Sequence, residues 1–160
     1  MRLGVVSDTH AQVEFARRAV RMLESCEVDQ VIHCGDIGSE EIVPLFAPWK
    51  THFVFGNVDY DHRQLTAAIE AAGQTCHGLF GKLTLEGVRI AFLHSDDDHL
   101  FRQTIGSGRW DLVCYGHTHK AEHHVEGKTL VLNPGAVYRD NPHSIAIVDL
   151  PSLVVTHIAI

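Results

Sequence analysis

The sequence predicts an α/β protein with a mixed or two-sheet core, and three features predict it. In the first half, short continuous apolar runs such as Leu3-Gly4-Val5-Val6 alternate with stretches of helical periodicity, as parallel strands covered by helices do. In the second half, strand signals come in pairs around turn dipeptides such as Glu86-Gly87, as hairpins do. A chain of 160 residues also fits one domain, 1–160, which buries roughly 68–70% of its unfolded surface without needing disulfide staples.

Leu3–Val6 reads as the first strand, and Asp8-Thr9-His10 as the loop that ends it. Val13, Ala16, Ala19, Val20 and Leu23 then recur at helical spacing, with Arg17, Arg18, Arg21 and Glu24 on the opposite face. Gln30–His33 is a second strand ending at Gly35-Asp36. Ser39 is expected to cap a helix that starts Glu40-Glu41-Ile42, tolerates Pro44 early and stops at Pro48. His52–Phe55 is a third strand ending at Gly56-Asn57, and a helix over about residues 61–72 stops at Gly73. Leu83–Leu85 and Val88–Leu93 form a hairpin, a short helix covers roughly residues 98–105, and Leu112–Tyr115 leads into Gly116-His117-Thr118-His119. Further hairpins are expected around Gly127 and around Pro151-Ser152.

Composition narrows the function. Thirteen Lys and Arg against twenty Asp and Glu leave a net charge of −7, a poor footprint for a general nucleic-acid binder, so nucleic acid is expected only as a substrate. Cys26, Cys34, Cys76 and Cys114 lie far apart with no C-x-x-C pair, which argues against a thiolate zinc site and suits a cytoplasmic protein. No signal-peptide layout and no apolar run of membrane length is present. The thirteen histidines are the unusual number, and they invite a metal hypothesis.

Five short motifs stand at the carboxyl ends of predicted strands: Asp8-Thr9-His10, Gly35-Asp36, Gly56-Asn57-Val58-Asp59, Leu93-His94 and Gly116-His117-Thr118-His119. Each is common alone. Together they fall where the strand-end loops of an α/β sheet converge on a ligand. All supply oxygen or imidazole donors, a set suited to Mn, Fe, Zn, Co or Ni. Two divalent ions about 3.5–4 Å apart need a shared anion, and Asp36, central in the set, is the expected bridge. Asn57 would add a ligand without adding charge.

In that order, the motifs resemble those of the calcineurin-like metallophosphoesterases. The short length and the later Asn133-Pro134-Gly135 are similar to the minimal single-domain subgroup, which includes the retromer scaffold subunit. The likeness runs from residue 1 to about residue 140. It implies a four-layer α/β/β/α sandwich with two mixed sheets and the site at the carboxyl ends of the strands. It also implies two divalent ions, with Mn the first expectation and Ni, Fe, Zn or Co the alternatives. One ion would be held by Asp8, His10, Asp36 and His119, and the other by Asp36, Asn57, His94 and His117. Asp8, Asp36, Asn57 and His117 would carry catalysis. The implied activity is hydrolysis of a small phosphoester, a diester ahead of a monoester, by in-line attack of a metal-bridging water. The alternative within the same fold is a non-catalytic metal-binding scaffold, but a scaffold is free to lose ligands and here all seven positions are filled.

The sequence departs from the family pattern at three places. Val58 stands where many members place a histidine that protonates the leaving group, His94-Ser95-Asp96 replaces the common His-Gly-His, and Ala136 follows Asn-Pro-Gly where Ser is common. His33 reads as a hydrogen-bonded core residue, and His123, His124 and His157 as strand residues rather than ligands. Asp96-Asp97-Asp98 reads as a solvated, helix-capping run, and Arg139 as a surface residue within reach of a phosphate.

Overall fold

Leu3–Val6 is apolar throughout because it becomes the middle of a sheet covered on both faces. A computed structural model describes residues 1–160. Its elements in order are β1 (Arg2–Val6), α1 (Val13–Ser25), β2 (Gln30–His33), a 3-10 helix (Glu40–Phe46), β3 (Lys50–Phe53), α2 (His62–Ala71), β4 (Thr75–Cys76), β5 (Phe80–Leu85), β6 (Val88–Leu93), α3 (Asp98–Gly106), β7 (Leu112–Tyr115), β8 (Ala121–Glu126), β9 (Thr129–Pro134), β10 (Ser144–Asp149) and β11 (Val154–Ala159).

The first sheet has the order β11-β10-β1-β2-β3-β4, and the second β5-β6-β7-β9-β8. Strands β1 to β4 run parallel, while β10 and β11 add antiparallel. In the second sheet β6, β7 and β9 are parallel, with β5 and β8 antiparallel at the edges. Both sheets are therefore mixed.

Three apolar clusters mark the three interfaces of a four-layer α/β/β/α sandwich. Ala16, Ala19 and Leu23 of α1, Ile42 and Phe46 of the 3-10 helix, and Leu65 and Ile69 of α2 pack on one face of the first sheet against Val6, Val31 and Phe53. Leu3, Val5 and Ile32 from the other face meet Ile90, Phe92, Leu112 and Leu132 of the second sheet. Leu100, Phe101 and Ile105 of α3 cover Leu93, Val113 and Val131 on that sheet's outer face. Alternation of side chains along each strand sends neighbours to different cores; Val5 and Val6 divide in this way.

Two local expectations are corrected. Residues 40–46 form a 3-10 helix, and the Ser39 side chain makes no capping hydrogen bond. Pro44 offers no N–H, and in an α-helix its ring would press on the carbonyl four residues back; the tighter winding accommodates it over a short span. The third strand is Lys50–Phe53 rather than 52–55. Val54 and Phe55 stay buried, but their backbone N–H groups bond the carbonyls of His33 and Gly78 as the chain turns towards the site.

Candidate metal centre

The seven expected ligands lie in five loops, each leaving the carboxyl end of β1, β2, β3, β6 or β7. The loops brace one another through their backbones. Asp8 N–H bonds Gly35 O at 3.0 Å, His10 N–H bonds Asp36 O at 3.0 Å, and Tyr138 N–H bonds Asp8 O at 3.0 Å. Asp8, His10, Asp36, His117 and His119 all have positive φ, from 45° to 74°. Such residues store strain of order 1–3 kcal/mol each, which the surrounding bonds must hold.

The structure brings all seven side chains together. His119 Nε2 is 3.1 Å from Asp8 Oδ1, and His10 Nε2 is 3.6 Å from the same oxygen and 3.5 Å from Asp36 Oδ2. On the other side His94 Nε2 is 3.2 Å from Asp36 Oδ1. Asn57 Oδ1 lies 3.1 Å from His94 Nε2 and 3.0 Å from His117 Nδ1. Asp8, His10 and His119 form one group with metal-ligand spacing, and Asp8, Asp36 and His94 another. The two oxygens of Asp36 face different imidazoles.

The donor chemistry fits cations. His94 Nδ1 lies 2.8 Å from Cys34 O, so it must carry a proton and donate. In the neutral ring Nε2 is then a lone pair, pointing at the oxygens of Asp36 and Asn57, which are themselves acceptors. Asp8 Oδ1 and His10 Nε2 are buried and make no hydrogen bond at all, a costly arrangement unless a cation sits between them.

Electrostatics keep the carboxylates charged. Burial would raise Asp8, but the imidazoles of His10 and His119 outweigh it and hold the carboxyl well below the usual range. Asp36 is likewise lowered, burial being overcome by His94 and by the backbone N–H of Val58, which bonds Oδ1 at 3.0 Å. His94 is raised: burial opposes its protonation and the Asp36 and Asp8 carboxylates favour it more. His119 is raised chiefly by Asp8.

Two glycines in the motifs are required by close approach. A Cβ on Gly56 would collide with Oδ1 and the backbone N of Asp36, and one on Gly116 would collide with Ser7 Oγ. Each carboxylate loop thus lies directly against the glycine that precedes a ligand, Asn57 or His117.

Several residues outside the ligand set brace the loops. Asp59 accepts the N–H of Gly56 at 2.8 Å, of Gly38 at 2.8 Å and of Ile37 at 3.2 Å, tying the loop after β3 to the loop after β2. Asn133 Nδ2 donates to Thr118 Oγ1 at 2.9 Å, and its Oδ1 accepts from Gly135 N, so the Asn-Pro-Gly turn holds the His117 loop. His33 is fully buried, as expected. Its Nδ1 accepts from Gly35 N and its Nε2 meets Thr9 Oγ1 at 3.0 Å, and burial pushes it down to about 3. Asp97 caps α3 through Leu100 N, while Asp98 pairs with Arg102. His123 and His124 are exposed on β8, and His157 Nε2 donates to Asn133 O at 2.9 Å. Arg139 is exposed.

A sandwich of two mixed sheets with carboxylates and imidazoles gathered at its strand ends is the architecture of metal-dependent phosphoesterases. The family model for the calcineurin-like phosphoesterase superfamily domain matches residues 1–152, and the chain belongs to that superfamily. It is similar to the phosphodiesterase MJ0936 of Methanocaldococcus jannaschii, 28% identical over 138 residues that cover 84% of this chain and 83% of the relative. Among solved structures, an archaeal phosphodiesterase superposes with a TM-score of 0.92 at 26% identity over the whole of both chains. Vps29 of Entamoeba histolytica, solved in complex with zinc, superposes with a TM-score of 0.66 at 17% identity over 100% of this chain and 98% of its own. That last likeness shows the fold alone.

Proposed function

We propose that residues 1–160 form one domain that hydrolyses small phosphodiesters at a centre of two divalent ions, manganese foremost. Asp8, His10, Asp36 and His119 would hold one ion, and Asp36, Asn57, His94 and His117 the other. The observation that carries this reading is the division of Asp36, whose Oδ2 faces His10 and whose Oδ1 faces His94. When bound, the ions would supply Lewis acidity, lowering the pKa of a water so that hydroxide is available as the nucleophile near neutral pH, and offsetting charge on the phosphoryl oxygens.

The chain's own part is positioning. The Cys34 carbonyl fixes the His94 tautomer, so that Nε2 faces inward. Backbone N–H groups of Val58 and His117 hold the Asp36 and Asp8 carboxylates in place. The hydroxyls and thiol nearest the carboxylate loops are shielded from substrate. Ser7 and Thr9 are fully buried, and burial pushes the Cys34 thiol well above its ordinary value. Water is the nucleophile in this reading, and the work left to the protein is electrostatic.

The test is hydrolysis of bis(4-nitrophenyl) phosphate and of 4-nitrophenyl phosphate by Mn-loaded protein. The diester should be cleaved faster, and a chelator should stop both reactions. Protein that holds two ions yet cleaves neither ester would make the scaffold reading the better one.

A further inference from the structure

Beside the metal centre lies a cleft of about 540 Å³, within the size range of small-molecule sites. Ala11 and Val58 supply part of its apolar lining. Each directly follows an expected ligand, His10 or Asn57, so the cleft adjoins two of the loops that carry the candidate centre, while the ligands themselves lie outside its lining. Glu40, Glu41, Tyr60 and Asp61, all exposed, also line it, and no Lys or Arg does.

The charges on this lining differ in how free they are. Asp61 is committed to capping α2 through Gln64 N, and Glu40 meets Gln64 Nε2. Glu41 is exposed with no ion pair, so the mouth of the cleft is negative and uncompensated. Tyr60 is 88% exposed, the most exposed large apolar side chain in the protein, and it stands at this rim. A solvated aromatic ring is a stacking platform for another flat ring.

We propose that this cleft is the subsite for one organic substituent of the ester, taking an uncharged aromatic group of nucleoside size and excluding a substituent that carries its own negative charge. The proposal deepens the phosphodiesterase reading and rests on it. Val58 and Ala11 supply apolar lining, Tyr60 the stacking face, and Glu40 and Glu41 the repulsion. A like charge brought close to Glu40 and Glu41 near the surface is disfavoured electrostatically. A diester with neutral substituents is admitted, whereas one bearing a second phosphate or a carboxylate is not.

Symmetric substrates remove the question of which substituent enters the cleft. The experiment compares bis(4-nitrophenyl) phosphate with bis(3-carboxy-4-nitrophenyl) phosphate on wild type, on Glu40→Gln/Glu41→Gln and on Tyr60→Ala. Wild type should prefer the neutral ester in kcat/KM by about tenfold or more, and the double variant should bring that ratio towards one by improving the carboxylated ester. Tyr60→Ala should raise KM for the neutral ester by about tenfold; the side chain's exposure means that its loss leaves no core cavity. Calorimetric titration with dibenzylphosphinate and its ring-carboxylated analogue, which contain no ester bond, reads the same preference without turnover. A wild-type ratio near one, or a ratio that survives the double variant, overturns the proposal, as does binding of both phosphinates equally or of neither. Failure to hydrolyse either ester while the phosphinates still bind with the expected preference counts against the phosphoesterase reading and leaves the cleft standing.

Discussion

His94 Nε2 stands 3.2 Å from Asp36 Oδ1 with its other nitrogen already committed to the Cys34 carbonyl, so in the neutral ring a lone pair faces a carboxylate, and either a proton or a metal cation between them relieves the repulsion. Asp36 presents its second oxygen to His10 in the same way. A carboxylate shared between two such contacts has a distinct signature when removed. Asp36→Ala should lose both ions, whereas Asn57→Ala, which deletes a neutral donor facing only His94 and His117, should weaken one. Metal analysis of Mn-loaded wild type should approach two ions per chain. A saturated value near one, or an Asp36→Ala protein that still holds an ion at full occupancy, would end the shared-bridge model.

Asp59 gives the second prediction. Its carboxylate satisfies three backbone N–H groups from two loops, and it is 2% exposed. Asp59→Ala strands those donors, each at about 1–3 kcal/mol, and frees the Gly38 loop from the Asn57 loop. Stability should fall by about 3–5 kcal/mol, with metal affinity falling alongside. Asp59→Asn keeps one acceptor oxygen but turns an NH2 towards a donor, so it should fall between wild type and Asp59→Ala. Denaturant midpoints for the three proteins check the order; an Asp59→Ala midpoint close to wild type would mean that the loops hold without this carboxylate.

Asp59 also shows where the sequence stopped being informative. Its motif was legible, yet its partners lie 21 and 22 residues away on another loop, and no local pattern announces such a bond. What is periodic or local was readable: the amphipathic stripe of α1, the stop of α2 before Gly73, the hairpin at Glu86-Gly87 and the positions of all seven donors at strand ends. Strand β4 was not, because two residues, Thr75 and Cys76, carry no period. The helix over residues 40–46 is legible, but not its 3-10 winding, because Ser39-Glu40-Glu41 would equally start an α-helix and Pro44 acts only through the turn before it. The four-layer arrangement came from family resemblance; which side chains of each strand face which core is set by the twist and pairing of two sheets.

The pairing of His52 with His77 makes a pH prediction. His52 is 2% exposed, with Nε2 3.1 Å from Gln30 Oε1 and Nδ1 3.0 Å from His77 Nε2. Nε2 therefore donates to Gln30 and Nδ1 accepts from His77, which requires a neutral ring. Burial, with His77 and Lys50 nearby, pushes His52 down to about 4. Because the folded value lies below the unfolded one, the unfolded chain takes up the proton first. The contribution is fully present above about pH 6.5 and is lost towards pH 4, at roughly 1.4 kcal/mol per pH unit. His52→Gln should be less stable than wild type at pH 7, and the difference should shrink by about 2 kcal/mol by pH 5. Paired denaturant titrations isolate this group from the other histidines; a pH-independent difference would show that His52 is not held neutral.

Val58 sets the last prediction. Its backbone N–H is useful, since it holds Asp36 Oδ1 at 3.0 Å, but its side chain has no proton to give. General-acid help typically contributes 10²–10⁴-fold, and it matters most for a poor leaving group. An enzyme with valine here should therefore depend steeply on the leaving group: aryl esters should react well and simple alkyl esters poorly. Asp59 offers no substitute, because both its oxygens are occupied by backbone donors. Val58→His places an imidazole on a half-buried position that already lines the cleft, and the main-chain bond to Asp36 is retained because it does not involve the side chain. The variant should flatten the dependence by raising rates for alkyl esters while leaving activated aryl esters little changed. Rates for a graded series of leaving groups, measured on both proteins, give the two slopes directly. A shallow slope in wild type would mean that another group supplies the proton, and Asp96 and His99, both exposed near the start of α3, are the first to replace.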